Sequence, residues 1–264
     1  MPVWRLMMDG PADGAWHMAV DRAVLAARAE GTAPPTLRLY WWRVPTVSLG
    51  RFQSAEDVDR GACRELGVEV VRRPTGGRGV LHDNELTYSM VASLEDGVPR
   101  GVAASYRWLS RPLLDAYQAL GVDAALTTRS RGERSAACYL HATHADLSLG
   151  AAKLSGSAQV WDSSAVLQHG SFVIDRDVAA EARLFRLEGR AQRILVEKTA
   201  TLVHALGRAP ERDEIADAVV HAVGRDFGVT LERVSLSPAE REHAERLVAS
   251  YRVPTEESLT STST

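Results

Sequence analysis

Short β-rich segments and long helical segments alternate irregularly along this chain, and that order constrains its fold more than any other feature. Residues 13–29 place Met18, Ala19, Leu25 and Ala26 on one apolar stripe at helical spacing, with Gly31 as the stop. The stretch PPTLRLYWW then gathers β-formers at 36–42, and 46–50 predicts a second short strand. Ser54 with Asp57 three positions later resembles a capping box, which predicts a helix closing at Gly67. Residues 68–73 and 86–92 predict strands on either side of a glycine-rich loop, Thr75-Gly76-Gly77-Arg78-Gly79. Helical spacing runs over 102–120 to Gly121, and 123–127 reads as extended. A polar, arginine-rich loop is expected at 128–134, followed by strands at 146–149, 154–159 and 165–174. The last third turns helical, its clearest start being Ser237-Pro238-Ala239-Glu240, with Ser at the cap, Pro at the first helical position and Glu at the third. No repeat and no linker separates independent halves. The order implies one α+β domain over 1–252, with a helical C-terminal segment packed on it. Residues 253–264 have too little apolar content to fold and are expected to form a disordered tail.

Charge and composition exclude several partners. The 264 residues are 45% apolar and 25% charged, an ordinary globular balance. A formal net charge of -3 gives no global positive field for nucleic acid or an anionic membrane. A local basic patch at Arg72, Arg73 and Arg78 is still able to meet an acidic protein. No apolar run approaches the roughly 18 residues of a membrane span, and the first residues lack the pattern of a signal peptide. Two cysteines, Cys63 and Cys138, make no disulfide framework and suit a reducing cytoplasm.

The glycine loop alone is weak evidence, since TGGRG also suits a plain hairpin turn. It is neither a Walker loop nor GxGxxG. Its flanks add weight: Arg72 and Arg73 precede it and His82-Asp83 follow, so cationic, flexible and polar groups gather in one short segment. Glycines let backbone approach a ligand, and exposed amides hold carbonyl or phosphate oxygens. The whole block RRPTGGRGVLHDNELTYS at 72–89 resembles the signature of the lipoate–protein ligase and octanoyltransferase superfamily, related in fold to biotin protein ligases. The block Lys153-Leu154-Ser155-Gly156-Ser157-Ala158-Gln159 resembles the superfamily's lysine motif, and Leu167-Gln168-His169-Gly170-Ser171 its downstream strand. Weaker likeness extends from Trp4 to about Tyr251. The resemblance implies a biotin/lipoate protein ligase-like catalytic domain, α+β, with mixed, largely antiparallel sheets flanked by helices.

Within that superfamily the chain most resembles the cysteine-dependent octanoyl-[acyl carrier protein]:protein N-octanoyltransferase branch. There the nucleophile stands fifteen residues before the motif lysine, the separation of Cys138 and Lys153 here. The resemblance implies that Cys138 carries the acyl group as a thioester and that Lys153 favours the thiolate and polarises the acyl carbonyl. Arg72, Arg73, Thr75, Gly76, Gly77, Arg78, Gly79 and His82 are then expected to form one wall of an acyl tunnel. Ser157, Ala158 and Gln159 would form the opposite wall, with His169 and Gly170 as further lining candidates. The implied partners are octanoyl-acyl carrier protein as donor and a lipoyl domain, the glycine-cleavage H protein or a dehydrogenase E2 subunit, as acceptor. No cofactor is implied.

Other readings remain beside this one. An ATP-dependent lipoate–protein ligase would share the scaffold and use Lys153 on lipoate and adenylate, with ATP and Mg as its requirements; no accessory domain is seen after Tyr251 to favour it. An amidotransferase moving acyl groups between lipoyl domains is a third, and a non-catalytic carrier-protein or lipoyl-domain binding module a fourth. Taken alone, Cys138 also fits a small buried residue, although its polar setting, SAACYLH, argues against a dry core. Cys63 reads as structural. His141, His144 and Asp146 match no strong metal signature, so no metal site is expected and the three are read as bordering the active-site loop. The chain departs from the branch pattern at residues 141–144, at Arg22, at Arg51 and in lacking a C-terminal tryptophan. These departures bear on substrate preference more than on reaction type.

Overall fold

The computed structural model describes residues 1–127, 131–132, 137, 141–142 and 146–253. The chain opens with β1 (Val3–Met8), α1 (Gly14–Ala29), β2 (Thr36–Tyr40) and β3 (Thr46–Leu49), then a 3-10 turn at Ala55–Asp57. Next come α2 (Arg60–Glu65), β4 (Glu69–Arg72), β5 (Val80–His82), β6 (Glu85–Ser93), α3 (Val102–Ala119) and β7 (Ala124–Leu126). The two-residue strands β8 (Arg131–Gly132) and β9 (His141–Ala142) lead to β10 (Leu147–Leu149), β11 (Ala152–Ser155), β12 (Ser157–Asp162) and β13 (Ala165–Val173). Helices α4 (Val178–Leu184), α5 (Gly189–Glu197), α6 (Leu202–Leu206) and α7 (Arg212–Phe227), strand β14 (Thr230–Arg233) and α8 (Pro238–Tyr251) complete the chain. None of the described helices is long and apolar enough to cross a membrane.

Six strands form the main sheet in the order β12-β13-β6-β2-β1-β14. The pairs from β12 to β2 are antiparallel, and β1 runs parallel to both β2 and β14. Alternation along β13 sends Val166 and Phe172 toward the core shared with α3 and α7, while Ala165 and Leu167 meet α1 and α8. Direct pairing aligns Ala158, His169, Ser89 and Arg38 in a row across β12, β13, β6 and β2, on the α1 side. A second sheet, β4-β3-β5, stands against this row and carries the glycine loop between β4 and β5.

Three local expectations are corrected. The helix expected from Ser54 to Gly67 is divided: Ser54 caps only the 3-10 turn, and α2 starts later because Asp59 accepts from the Ala62 amide at 2.9 Å. The strand expected at 154–159 is two strands meeting at Gly156. The loop expected at 128–134 contributes Arg131 and Gly132 to a short antiparallel pairing with β9. β1, β5 and β14 were not singled out from the sequence.

α8 is locked to the sheet by charge as well as packing. The Ser237–Glu240 capping box is present, and Glu240 also takes two hydrogen bonds from the Arg5 guanidinium of β1, at 2.6 and 2.7 Å, with both side chains 4% exposed. Removing one partner of such a buried pair strands the other charge, at about 3–5 kcal/mol. Glu240→Ala is therefore expected to lower unfolding free energy by about that amount in urea titrations, and Arg5→Met with Glu240→Leu to recover most of it. Equal stability of Glu240→Ala and the native chain would show that the pair does not hold α8.

Candidate active site

Between the row on the main sheet and the second sheet lies a cavity lined by residues of both. Met18, Tyr40, Trp42 and Val80 give it an apolar wall. Ser48, Arg73, His82, Thr87, His169 and Ser171 supply polar groups, and Gly77, Gly156, Ser157, Ala158 and Gly170 keep the remaining wall thin.

Two carboxylate–imidazole–hydroxyl chains converge on the cavity and meet at Arg73. In the first, His169 donates from Nδ1 to Asp21 at 3.2 Å and its Nε2 accepts from Thr75 Oγ1 at 2.7 Å. In the second, His82 donates from Nδ1 to Glu85 at 2.7 Å and its Nε2 meets Ser48 Oγ at 2.7 Å. Arg73 donates to the Thr75 hydroxyl (3.1 Å), the Ser48 hydroxyl (3.3 Å) and the carbonyls of Ser48, Gly76 and Arg78, each at 2.8 Å. Ser48–His82–Glu85 has the connectivity of a serine triad. The Ser48 hydroxyl is nevertheless fully buried and already accepts from Arg73, so it acts as a strut of the wall.

Burial and neighbouring charge set the protonation states. Burial opposes ionisation of Asp21, but the adjacent Arg38 guanidinium and the His169 hydrogen bond outweigh it and hold the carboxyl down at about 2. Glu85 is likewise held below the usual range against its burial by His82, Ser171 and Thr87. Burial, reinforced by Arg73, keeps His169 below the ordinary histidine value. His17, beneath Arg38, is pushed down to about 3 by burial and by that guanidinium; its Nδ1 accepts from Arg38 at 2.9 Å and its Nε2 donates to the Trp41 carbonyl at 3.1 Å. Trp42 stacks on His82 with ring centroids 4.2 Å apart, and its indole N–H donates to Thr87 at 2.8 Å.

The cavity's edge at Gly156 holds a buried ion pair. Lys153 Nζ lies 3.0 Å from Asp146, the two side chains 4% and 2% exposed. Tyr106 donates to the other oxygen of Asp146 at 2.8 Å and accepts from the Ser157 amide at 2.9 Å, tying the pair to the start of β12. The backbone of Lys153 is fixed by the Lys198 carbonyl (2.7 Å) and the Ala200 amide (2.8 Å). Gly156 leaves room for the lysine head: a Cβ there would sit 2.8 Å from both Cε and Nζ of Lys153 and displace it. A Cβ at Gly170 would meet the Gly156 carbonyl at 2.7 Å.

The sequence candidates are placed as follows. Arg73, Gly77, His82, Ser157, Ala158, His169 and Gly170 line the cavity, and Lys153 abuts it through Gly156. Thr75, Gly76 and Arg78 engage Arg73 from behind the lining. Gln159 turns toward α3, bonded to Ser105 and Gln168. Arg72, expected in the same wall, instead donates to the carbonyls of Gly50 and Gln53 and faces a second cavity. Gly79 makes a parallel bridge with Ala137, which is fully buried. Cys138 itself, like His144, lies outside the described residues. Cys63 is buried in the core between α2 and α4, its thiol pushed up by burial. Among the described residues no group of three or more His, Cys, Asp or Glu is arranged to hold a metal, and Asp146 is engaged by Lys153. Sequence reasoning passed over Asp21, Trp42, Ser48, Glu85 and Tyr106 as partners in this site, and read Asp146 as bordering the active-site loop without its pairing to Lys153. Asp21 did leave a signal, an acid within the stripe of Met18 and Leu25.

Residues 13–224 match the family described as the lipoyl protein ligase A/B catalytic domain. The octanoyltransferase LipM of Symbiobacterium thermophilum is 42% identical over 258 residues, 93% of this chain and 94% of that protein. The octanoyltransferase LipM of Kyrpidia tusciae is 38% identical over 265 residues, covering 95% and 97%. Among solved structures, lipoate-protein ligase A bound with ATP superposes with a TM-score of 0.78 at 24% identity, over 94% of this chain and 95% of that one. The bipartite lipoate protein ligase of Thermoplasma acidophilum gives 0.77 at 23%, over 98% and 96%. At these identities the structures speak for the fold alone, and they bear out α+β architecture with mixed, largely antiparallel sheets.

The buried histidines predict a pH dependence. His17 has a folded value of about 3 against an ordinary 6.5, so the unfolded chain binds the extra proton and stability falls as pH drops below 6.5. Between pH 6.5 and 5 this one group accounts for about 2 kcal/mol. Asp21, depressed from 3.8 to about 2, contributes stability that is lost only at lower pH, outside that window. Urea unfolding across pH 7.5 to 5 is expected to show a steep loss that flattens in His17→Gln. Parallel pH profiles for the two proteins would remove His17 as its source.

Proposed function

We propose that this chain, which belongs to the lipoyl protein ligase A/B catalytic-domain family, is an octanoyltransferase of protein lipoylation working through a thioester on Cys138. Octanoyl-acyl carrier protein is the donor, and a lysine of a lipoyl domain, in the glycine-cleavage H protein or a dehydrogenase E2 subunit, is the acceptor. The relatives named octanoyltransferase support the reaction. The observation that carries the reading is the Lys153–Asp146 pair, buried against the Gly156 edge of an apolar cavity. A second support is Ala137, one residue before the proposed nucleophile, bridged to Gly79 at the end of the glycine loop.

The Cys138 thiolate attacks the carbonyl carbon of the donor thioester, and the tetrahedral intermediate collapses to expel the carrier thiolate, which takes up a proton. The octanoyl chain lies along Met18, Tyr40, Trp42 and Val80, where its transfer from water is favourable. Lys153 supplies a fixed positive charge beside the carbonyl oxygen and the sulfur, worth more in this dry setting than in water. Asp146 keeps that charge in place and compensated until the oxyanion develops. The neutral ε-amine of the acceptor lysine then attacks the enzyme thioester, loses a proton, and releases the Cys138 thiolate. Thioester exchange is nearly isoenergetic and amide formation is downhill, so this route has no step for ATP or metal. A reducing cytoplasm keeps the thiol available.

Incubation with octanoyl-acyl carrier protein is expected to add one octanoyl group to the intact mass of the native chain and none to Cys138→Ala, with transfer to a lipoyl domain reduced at least about a thousandfold. An adduct that persists in Cys138→Ala would remove Cys138 from the role. Modification that requires ATP and free lipoate, and survives that substitution, would establish the ligase; activity only with octanoylated H protein as donor would establish the amidotransferase.

Gly156→Ala tests the lysine separately. The added methyl displaces the Lys153 ammonium from its buried pair with Asp146, so melting is expected to fall and acyl-enzyme formation, followed below the lowered melting point where circular dichroism still reports a native fold, to slow by about a hundredfold or more. Unchanged acylation kinetics would show that the position of Lys153 is irrelevant to chemistry.

A further inference from the structure

A second cavity lies against the Arg72-Arg73-Pro74 segment, with about 1030 Å³ of space including its mouth. α1 contributes Arg22 and Leu25, β12 contributes Val160 to Asp162, and α8 contributes Ser250 and Tyr251; Arg51, Arg72 and Arg73 complete the wall. Three arginines, Arg22, Arg51 and Arg72, thus stand around one carboxylate, Asp162, while Arg73 borders the cavity with its donors given to β3 and the glycine loop. That carboxylate pairs with Arg22 at 2.7 Å, in a half-open setting with each side chain about a third exposed. The acceptors of Arg72 are backbone carbonyls, Gln53 at 2.6 Å and Gly50 at 3.0 Å, and no carboxylate pairs with it among the described residues. Arg51 is exposed, makes no ion pair among the described residues, and lies over the Phe52 ring at 5.4 Å. Guanidinium groups converging on a concave surface repel one another, and the arrangement is relieved by an anion that takes several N–H donors at once.

Two features connect this cavity to the acyl site. Arg73 is in the wall of both. β12 runs from one to the other: Ser157 and Ala158 line the acyl cavity, and Val160 and Asp162 line the arginine cavity. Four residues of strand from Ala158 to Asp162 span about 13 Å, a distance within reach of an extended pantetheine arm.

We propose that the arginine cavity binds the phosphate at the foot of the donor's pantetheine arm while the thioester end reaches the acyl cavity. The inference rests on the octanoyl-transfer reading and adds the anionic part of the substrate to it. Recognition of the arm lowers KM without touching the reacting carbonyl, and makes donor binding sensitive to ionic strength.

The test compares octanoyl-pantetheine, octanoyl-phosphopantetheine and octanoyl-acyl carrier protein as donors, following acyl-enzyme formation by intact mass. The native chain is expected to favour the phosphorylated arm over octanoyl-pantetheine by about tenfold or more in kcat/KM, one charge-assisted contact being worth at least that factor. Arg22→Gln with Arg51→Gln is expected to abolish that preference through KM and leave the rate with octanoyl-pantetheine unchanged. Folding should hold, because the Arg22–Asp162 pair is a half-exposed one of small worth. Equal use of the two short donors by the native chain would overturn the phosphate site. A double variant impaired only toward the carrier protein, with both short donors unaffected, would assign the arginines to the carrier's acidic surface and also overturn it. No adduct from any donor would overturn the transfer reading, and this inference with it.

Discussion

A buried guanidinium has to satisfy its donors locally, and Arg73 does so by drawing the glycine loop around itself. Its bonds reach the hydroxyls of Ser48 and Thr75 and the carbonyls of Ser48, Gly76 and Arg78, so β3 and both ends of the loop converge on one side chain. The loop's composition follows. Gly77 has φ of +93°, and a Cβ there would lie 2.7 Å from Nη2 of Arg73. A Cβ at Gly50 would strike the Gly77 carbonyl at 2.0 Å. Here glycine supplies room for a close-packed cation and a backbone crossing, and the resulting wall is rigid. The expectation that these glycines bring backbone up to a ligand is thereby modified: much of the close approach is within the protein.

Around that clamp the buried acids are each paired with a base or a set of neutral donors. Asp21 and Arg38 neutralise one another beneath the sheet, with Asp9 as a second acid on Arg38 at 2.7 Å. His17 and His169, held neutral by burial, can each accept on one ring nitrogen and donate on the other, which lets the network close without stranded protons. Glu85 gathers donors from His82, Thr87 and Ser171. The cost of burying these ions is offset only because almost every lone pair and proton has a partner. Lys153 and Asp146 follow the same rule at the edge, where the pair is close enough to the lining to be used.

How much of this was legible in the sequence depended on whether an element carries its own pattern. α1, α3 and α8 announce themselves by spacing and caps, and β6 and β13 by their β-formers, because each buries a full face. β14, with the sequence TLER, has no apolar alternation and exists as an edge through parallel pairing with β1. The start of α2 turned on a competition between two cap residues, Ser54 and Asp59, which spacing alone does not resolve. In the site, the motif blocks brought Arg73, His82, Lys153, Ser157 and His169 to one place. Their partners were unreadable because Asp21, Glu85 and Asp146 acquire meaning only through register and packing. The expectation for Arg72 failed for a geometric reason: successive side chains at the end of a strand point to opposite faces.

That same geometry gives the Arg72-Arg73 pair its significance. One arginine turns inward, gives its donors to the loop and seals the acyl cavity; its neighbour turns outward among Arg22 and Arg51. A thioester donor is itself two-ended, with an apolar acyl group at one end of its arm and an anion at the other. A dipeptide whose side chains diverge across a single wall would serve both ends of such a donor, the inward member buried with its donors spent inside the protein and the outward member facing the open cavity. Arg73 gives its donors to the hydroxyls of Ser48 and Thr75 and the carbonyls of Ser48, Gly76 and Arg78, whereas Arg72 reaches only the carbonyls around Gly50 to Gln53 and has no carboxylate partner among the described residues. On the transfer proposed above, the two ends of the donor would lie on either side of this dipeptide, separated by the strand spacing of β12.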